Sequence, residues 1–148
     1  MGRITQRFKD LRETGRKALV PYVVAGDPNS EFIVPIMNAL VDAGADIIEL
    51  GMPFSDPFAD GPINQRGAER ALKSGINLNV VFKKVSEFRL FDKSTPIVLM
   101  GYLNPILAMG CEKFCTQAHK AGVDGLLIVD LPPESEPDLI YSSEKNHL

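Results

Sequence analysis

The chain lacks any hydrophobic run approaching the ~18–20 residues that a membrane-spanning helix requires. Its opening, Met1 to Asp10, is charged and has no apolar core of the kind a secretory signal carries. There is no basic excess either. Sixteen Lys and Arg stand against nineteen Asp and Glu, a net charge of −3, which leaves no electrostatic footprint for nucleic acid. These absences point to a cytoplasmic protein with neither membrane nor nucleic acid as partner. Cysteine and histidine are scarce, with two of each. Cys111, Cys115 and His119 follow one another at helical spacing, but a closed metal site needs about four ligands, and the other histidine, His147, lies in the last residues. The two thiols therefore read as small packing residues, and no metal is expected. The first strand-to-helix turn, Ala25-Gly-Asp-Pro-Asn-Ser30, has no glycine pattern able to cradle a dinucleotide phosphate.

What is present is a repeating unit. Ile4 to Arg16 reads as an amphipathic helix closed at Gly15, and Leu19–Ala25 as a buried strand. A helix runs on to Ala43 with Gly44 as its cap, and Pro35, well inside it, predicts an irregular first turn. Strands follow at Asp46–Leu50, Pro96–Tyr102 and Gly125–Val129. Between and after them come helices near Gln65–Lys73, Leu78–Phe91, Cys111–Ala121 and Asp138–Lys145. Ala43-Gly-Ala-Asp46 and Ala121-Gly-Val-Asp124 are two copies of one helix-to-strand junction, so Asp46 and Asp124 lie at the amino ends of strands and read as structural.

Strands apolar on both faces, alternating with amphipathic helices, predict a parallel α/β sheet of four β/α units. Four units are half of a (β/α)8 TIM barrel, which needs about 200 residues or more. The expectation is that residues 1–148 are the N-terminal half of a single truncated barrel domain. A small flavodoxin-like domain, which needs no second half, is the competing architecture.

The densest chemistry lies in Glu49-Leu-Gly-Met-Pro-Phe-Ser-Asp-Pro-Phe-Ala-Asp-Gly-Pro62, a strand end running into a loop with well-separated carboxylates. In a parallel barrel the carboxyl ends of strands carry the active site. Taken alone, Glu49 would be a solvated or salt-bridged rim residue, and Asp60-Gly61 a turn.

The stretch resembles the signature of the tryptophan synthase α subunit family. The likeness extends to Val20-Pro-Tyr-Val-Val-Ala-Gly-Asp-Pro28, Asp42-Ala-Gly-Ala-Asp46, Met100-Gly-Tyr-Leu-Asn104 and Gly122-Val-Asp-Gly-Leu-Leu-Ile-Val-Asp-Leu-Pro132, in the same order and spacing. The resemblance implies a β/α barrel lyase of tryptophan biosynthesis that cleaves indole-3-glycerol phosphate to indole and glyceraldehyde 3-phosphate. It also implies an α2β2 complex with a β subunit that holds pyridoxal phosphate, so that no cofactor is expected in this chain. Glu49 and Asp60 would be its catalytic pair. Tyr22, Met100, Tyr102, Leu127 and Val129 would line the indole pocket, although each also reads as barrel filling. Pro53, Asp56, Pro57 and Asn104 would meet the partner. Tyr22 and Met100 stand where the family commonly has Phe and Leu, which touches fine specificity rather than activity.

The residues fit that chemistry. A retro-aldol cleavage needs an electron sink, and the lysines fall on helices or at the amino ends of strands, away from the reacting face. An indole protonated at C3 is its own sink, leaving the enzyme to move protons between carboxylates in different surroundings. Glu49, flanked by Ile48 and Leu50, would be the partly desolvated proton carrier, and Asp60, on a wetter loop, would accept the indole N–H. Asp130, at the end of the fourth strand, reads as a helix cap or a residue supporting the site. The phosphate grip of such barrels commonly follows strands seven and eight, beyond these four units. A non-catalytic partner or fragment that binds and activates the β subunit, and a sibling phosphate-binding barrel, are the alternative functions. The 148-residue piece alone is expected to be inactive.

Overall fold

Proline and glycine set the limits of most elements in the computed structural model, which describes residues 2–132 and 134–148. Helix α1 (Arg3–Glu13) leads to strand β1 (Tyr22–Val24). A 3-10 turn at Ser30–Phe32 opens α2 (Ile33–Asp42), which is followed by β2 (Ile48–Gly51), α3 (Pro62–Lys73) and α4 (Leu78–Phe88). Then come β3 (Ile97–Gly101), α5 (Leu103–Met109), α6 (Cys111–Ala121), β4 (Gly125–Ile128) and α7 (Pro137–Lys145). Pro62 and Pro137 sit in the first turns of α3 and α7, where the missing N–H would have had no helical partner. Pro35 is placed by the same logic, because the 3-10 turn delays the start of α2 and leaves the proline in its first turn. Among the described residues no helix is long and apolar enough to cross a membrane.

The four strands form one parallel sheet in the order β1-β2-β3-β4. Consecutive order is that of a barrel wall and not of a doubly wound sheet, where the order reverses at a switch point. The faces differ sharply. Ile48, Leu50, Ile97 and Leu99 are fully buried in one core with Met37 of α2, Val81, Val85 and Phe88 of α4, and Phe114 and Cys115 of α6. The opposite row runs Tyr22, Glu49, Val98 and Gly125 in one register, and Val24, Gly51, Met100 and Leu127 in the next. It is only half-buried, with Leu127 42% exposed. The core built with α2, α4 and α6 therefore lies on one side, and the other is the inward side of a barrel wall, which Ile4 of α1 approaches at Gly125 and Gly67 of α3 at Val24.

Two sequence expectations need correction. The first strand is Tyr22–Val24 and not Leu19–Ala25. Leu19 and Val20 are exposed, and the Leu19 N–H donates to the Asp46 carboxylate at 2.9 Å rather than to a strand. The other is α5, a helix in the stretch between Tyr102 and Cys111 where the sequence reading places none. Pro105 is the third residue of that helix, still in the turn whose N–H groups have no intrahelical acceptor.

The repeated junction has a physical cause. Asp46 accepts the N–H of Leu19 on the approach to β1, and Asp124 accepts the N–H of Ile97 in β3 at 2.9 Å, so each carboxylate ties the start of its own strand to that of the strand before. Arginines neutralise both: Arg7 and Arg16 at Asp46, Arg3 and Arg89 at Asp124. Arg89 is nearly enclosed, also donating to the carbonyls of Gly122 and Thr95.

Candidate active site at the carboxyl ends of the strands

Glu49 takes the inward side of β2 by alternation. Ile48 and Leu50 go to the helical core, and Glu49 stands in the half-buried row between Tyr22 and Val98. One step further along lies Gly51, where a side chain would have to displace the Tyr22 ring, because a Cβ there would fall 2.8 Å from its Cζ. The Tyr22 ring thus lies across β2 just beyond Glu49.

Residues 52–61 then form a loop fastened to itself. The Asp60 N–H donates to the Pro57 carbonyl at 3.0 Å, and the Phe58 N–H to the Asp56 carbonyl at 2.9 Å. The Gln65 amide spans the loop, donating to the carbonyls of Asp60 and Pro57. The Asp60 carboxylate points at Tyr102, whose hydroxyl donates to Oδ2 at 2.7 Å and accepts the Ala59 N–H at 3.1 Å. Phe54 and Phe58 pack against the Tyr102 ring, with centroids 5.4 and 5.3 Å away. Tyr102 is only 3% exposed.

Both carboxylates act on the Tyr22 phenol. Burial pushes the Tyr22 phenol up to about 12, and the negative charges of Asp60 and then Glu49 add to the shift. The Tyr102 phenol also reaches about 12, first through burial and then through the bond it donates to Asp60. Two neutral phenols therefore accompany two carboxylates on the inward side of the sheet, beside Met100 and Leu127 in the apolar row. Val129 continues β4, its N–H donating to the Gly101 carbonyl at 3.0 Å. The inward rows of the four strands carry no lysine. Cys115 is buried in the helical core, its thiol pushed up to about 11 by that burial.

A sequence model of the family described as tryptophan synthase alpha chain matches residues 8–148. The chain belongs to this family. The tryptophan synthase alpha chain of Thioalkalivibrio sulfidiphilus is 60% identical over 140 residues, covering 95% of this chain and 53% of that protein. The crystal structure of tryptophan synthase subunit alpha from Legionella pneumophila superposes with a TM-score of 0.98 at 47% identity, over 100% of this chain and 56% of the other. A chain from the structure of the tryptophan synthase α2β2 complex of Pyrococcus furiosus, whose subject is mutual activation, superposes at 0.83 with 43% identity, over 88% and 55%. The chain thus spans about half the length of the relatives it matches, and its four units form part of the tryptophan synthase alpha barrel.

The residues singled out from sequence fall into two groups. Glu49, Asp60, Tyr22, Met100, Leu127 and Val129 lie on or above the inward side. Pro53, Asp56, Pro57 and Asn104 lie on the outer rim of the same end, with Asp56 and Asn104 exposed. There an apolar cavity of about 440 Å³ opens between Pro53, Phe54, Pro105, Ala108 and Met109. Tyr102 belongs between the groups, because its hydroxyl is committed to Asp60. Sequence reasoning missed that bond, since 42 residues separate its partners. It also left the role of Asp130 open: the carboxylate accepts the Leu103 N–H at 2.8 Å and caps α5.

Proposed function

We propose that residues 1–148 are the amino-terminal half of a single β/α barrel domain, a cytoplasmic tryptophan synthase α subunit. In the complete protein it cleaves indole-3-glycerol phosphate to indole and glyceraldehyde 3-phosphate. The observation that carries the reading is Glu49 in the inward, largely apolar row beside Tyr22 and Asp60 held by Tyr102 at the carboxyl end of β3. Such a place suits a flat apolar ring bearing one N–H.

The chemistry follows from the two carboxyl groups. A proton added to indole C3 turns the ring into an acceptor for the electrons of the C3–side-chain bond. That bond breaks as the adjacent side-chain hydroxyl loses its proton and becomes the aldehyde. Glu49, on a strand and partly shielded from water, supplies and collects these protons. Asp60 accepts the indole N–H and stabilises the positive charge that spreads to nitrogen. Tyr102 aims Asp60, while Tyr22, Met100, Leu127 and Val129 exclude water from the ring. Pyridoxal phosphate belongs to the β subunit, which would dock at Pro53, Asp56, Pro57 and Asn104 in an α2β2 assembly.

Steady-state cleavage by the full-length protein tests the assignment. Glu49→Gln should lower kcat by about 10²–10⁴, the usual contribution of a proton-transfer group. Asp60→Asn should retain weak activity, since an amide oxygen still accepts an N–H. Cleavage by Glu49→Gln at the unmodified rate would rule the roles out.

A further inference from the structure

We propose that Asp130 is a positioning residue for Asp60, acting through the first turn of α5 and the Tyr102 side chain. Two hydrogen bonds, joined by the backbone between Leu103 and Tyr102, make the connection. β4 ends at Ile128, and the Val129 N–H extends the ladder by one bond to the Gly101 carbonyl. The next residue, Asp130, is carried to the β3–α5 junction, where its Oδ1 accepts the Leu103 N–H at 2.8 Å. Leu103 is the first residue of α5, and its N–H has no acceptor within the helix. The residue at the cap position is Tyr102, whose rigid ring carries its hydroxyl away from the helix start to Asp60 and Ala59, so that it makes no side-chain cap there. The cap comes instead from the neighbouring strand, and it fixes the extended backbone of Tyr102, φ −115° and ψ 154°, from which the phenol projects. Pro105 contributes no N–H, so this short helix has few other donors with which to anchor its start. The phenol then holds the Asp60 carboxylate and the Ala59 N–H together.

Among the described residues Asp130 thus hydrogen-bonds neither Glu49 nor Asp60, yet it sets the origin of the side chain that aims Asp60. The inference rests on the reading of Asp60 as the indole N–H acceptor for its kinetic arm, and on hydrogen bonding alone for its exchange arm.

The experiment compares Asp130→Ala, Asp130→Asn, Tyr102→Phe and the Asp130→Ala/Tyr102→Phe double variant in the full-length protein. Amide hydrogen exchange is read at Leu103, Ala59 and, as a control for global folding, Leu99 in β3. In Asp130→Ala, protection should fall at Leu103 and also at Ala59, by about 5-fold or more, with Leu99 unchanged. Asp130→Asn keeps an acceptor oxygen and should restore most of the protection at Ala59. In the kinetic arm Asp130→Ala should lower kcat by about 10-fold with KM within about 2-fold, the mark of lost alignment rather than lost binding. The double variant should lose little more than Tyr102→Phe alone, since both act along one path.

Unchanged protection at Ala59, additive losses in the double variant, or Asp130→Asn behaving like Asp130→Ala would each overturn the proposal. If Asp130→Ala does not fold, Asp130→Glu keeps the charge while displacing the acceptor oxygen and should lower protection at Ala59 in the same way; normal protection there overturns the proposal. Absence of cleavage by the unmodified protein would end the functional reading, and the Ala59 exchange would still decide this one.

Discussion

Replacing Gly51 by alanine tests the inward geometry most directly, because it adds one methyl group where Tyr22 crosses β2. The new Cβ would stand 2.8 Å from Cζ and 2.9 Å from Cε2 of the ring. Carbon atoms pack at about 3.5–4.0 Å, so the ring must retreat by about 0.7 Å or more. Overpacking of this kind costs about 1–3 kcal/mol. The intrinsic effect has the opposite sign, since alanine in a strand interior is favoured over glycine by about 0.5–1 kcal/mol. Urea unfolding of the full-length protein should therefore register a net destabilisation for Gly51→Ala. In a Tyr22→Ala background the obstacle is gone, and the same substitution should become stabilising by about 0.5–1 kcal/mol. Cleavage should follow the ring. Tyr22 is the register neighbour of Glu49, and a misplacement near 1 Å can cost about 10²-fold, so a fall of about 10–100-fold in kcat/KM is expected for Gly51→Ala. A Gly51→Ala effect on stability that is the same with and without the Tyr22 ring would refute the packing argument. Unchanged kcat/KM would show that the ring does not bear on the reacting groups.

The phenols give a pH prediction. An unperturbed tyrosine titrates near 10, and Tyr22 and Tyr102 are raised to about 12 in the folded chain. The unfolded state therefore releases these protons first, so their contribution to stability is intact below pH 10 and is lost as pH rises through 12. Carbon-13 shifts at Cζ of the two rings should report neutral phenols at pH 11; ionisation near pH 10 in a still-folded chain would contradict the burial assigned to them. At the opposite end of the sheet, Asp124→Ala leaves the Arg89 guanidinium, 9% exposed, without its carboxylate, and should cost about 3–5 kcal/mol in chemical denaturation. A loss under about 1 kcal/mol would mean that water reaches Arg89. On the rim, Asp56→Ala should leave cleavage by the isolated α subunit within about 2-fold while weakening its activation by the β subunit; an unchanged midpoint and amplitude in a β-subunit titration would reduce Asp56 to a turn residue.

How far the sequence could be read depended on whether the signal was local. Cys111–Ala121 has the same limits in sequence and structure, because glycines with positive φ, Gly110 and Gly122, stand at both ends. The inward direction of Glu49 was equally legible, since its apolar neighbours Ile48 and Leu50 must face the core and alternation does the rest. Helix α5 was hidden because it is only seven residues long and carries a proline, which is tolerated in the first turn of a helix but gives no periodic signal of its own. The role of Tyr102 could not be read at all. Barrel filling, pocket lining and a hydrogen bond to Asp60 all ask for an aromatic residue at a strand end, and only the path of residues 52–61 over β3 selects among them. For Asp130 the helix-cap reading was legible, but which helix it caps depends on where β4 delivers it.

The two ends of the sheet are built on different physical principles, and that difference explains why one of them can change function. At the amino ends, the Asp46 and Asp124 side chains are nearly enclosed, each shared between two arginines and a backbone N–H, that of Leu19 on the approach to β1 or of Ile97 in β3. Removing one partner there strands a charge, so substitution is punished by unfolding before any question of chemistry arises. At the carboxyl ends the fastenings are single hydrogen bonds between neutral and charged groups, Tyr102 to Asp60 and Leu103 to Asp130, on loops that are partly open to solvent. Each such bond contributes about 1.5–3 kcal/mol, enough to aim a carboxylate and small enough that losing one leaves the barrel wall standing. Variants at Asp60, Tyr102 and Asp130 should therefore separate activity from stability, while variants at Asp46, Arg89 and Asp124 should lose both together.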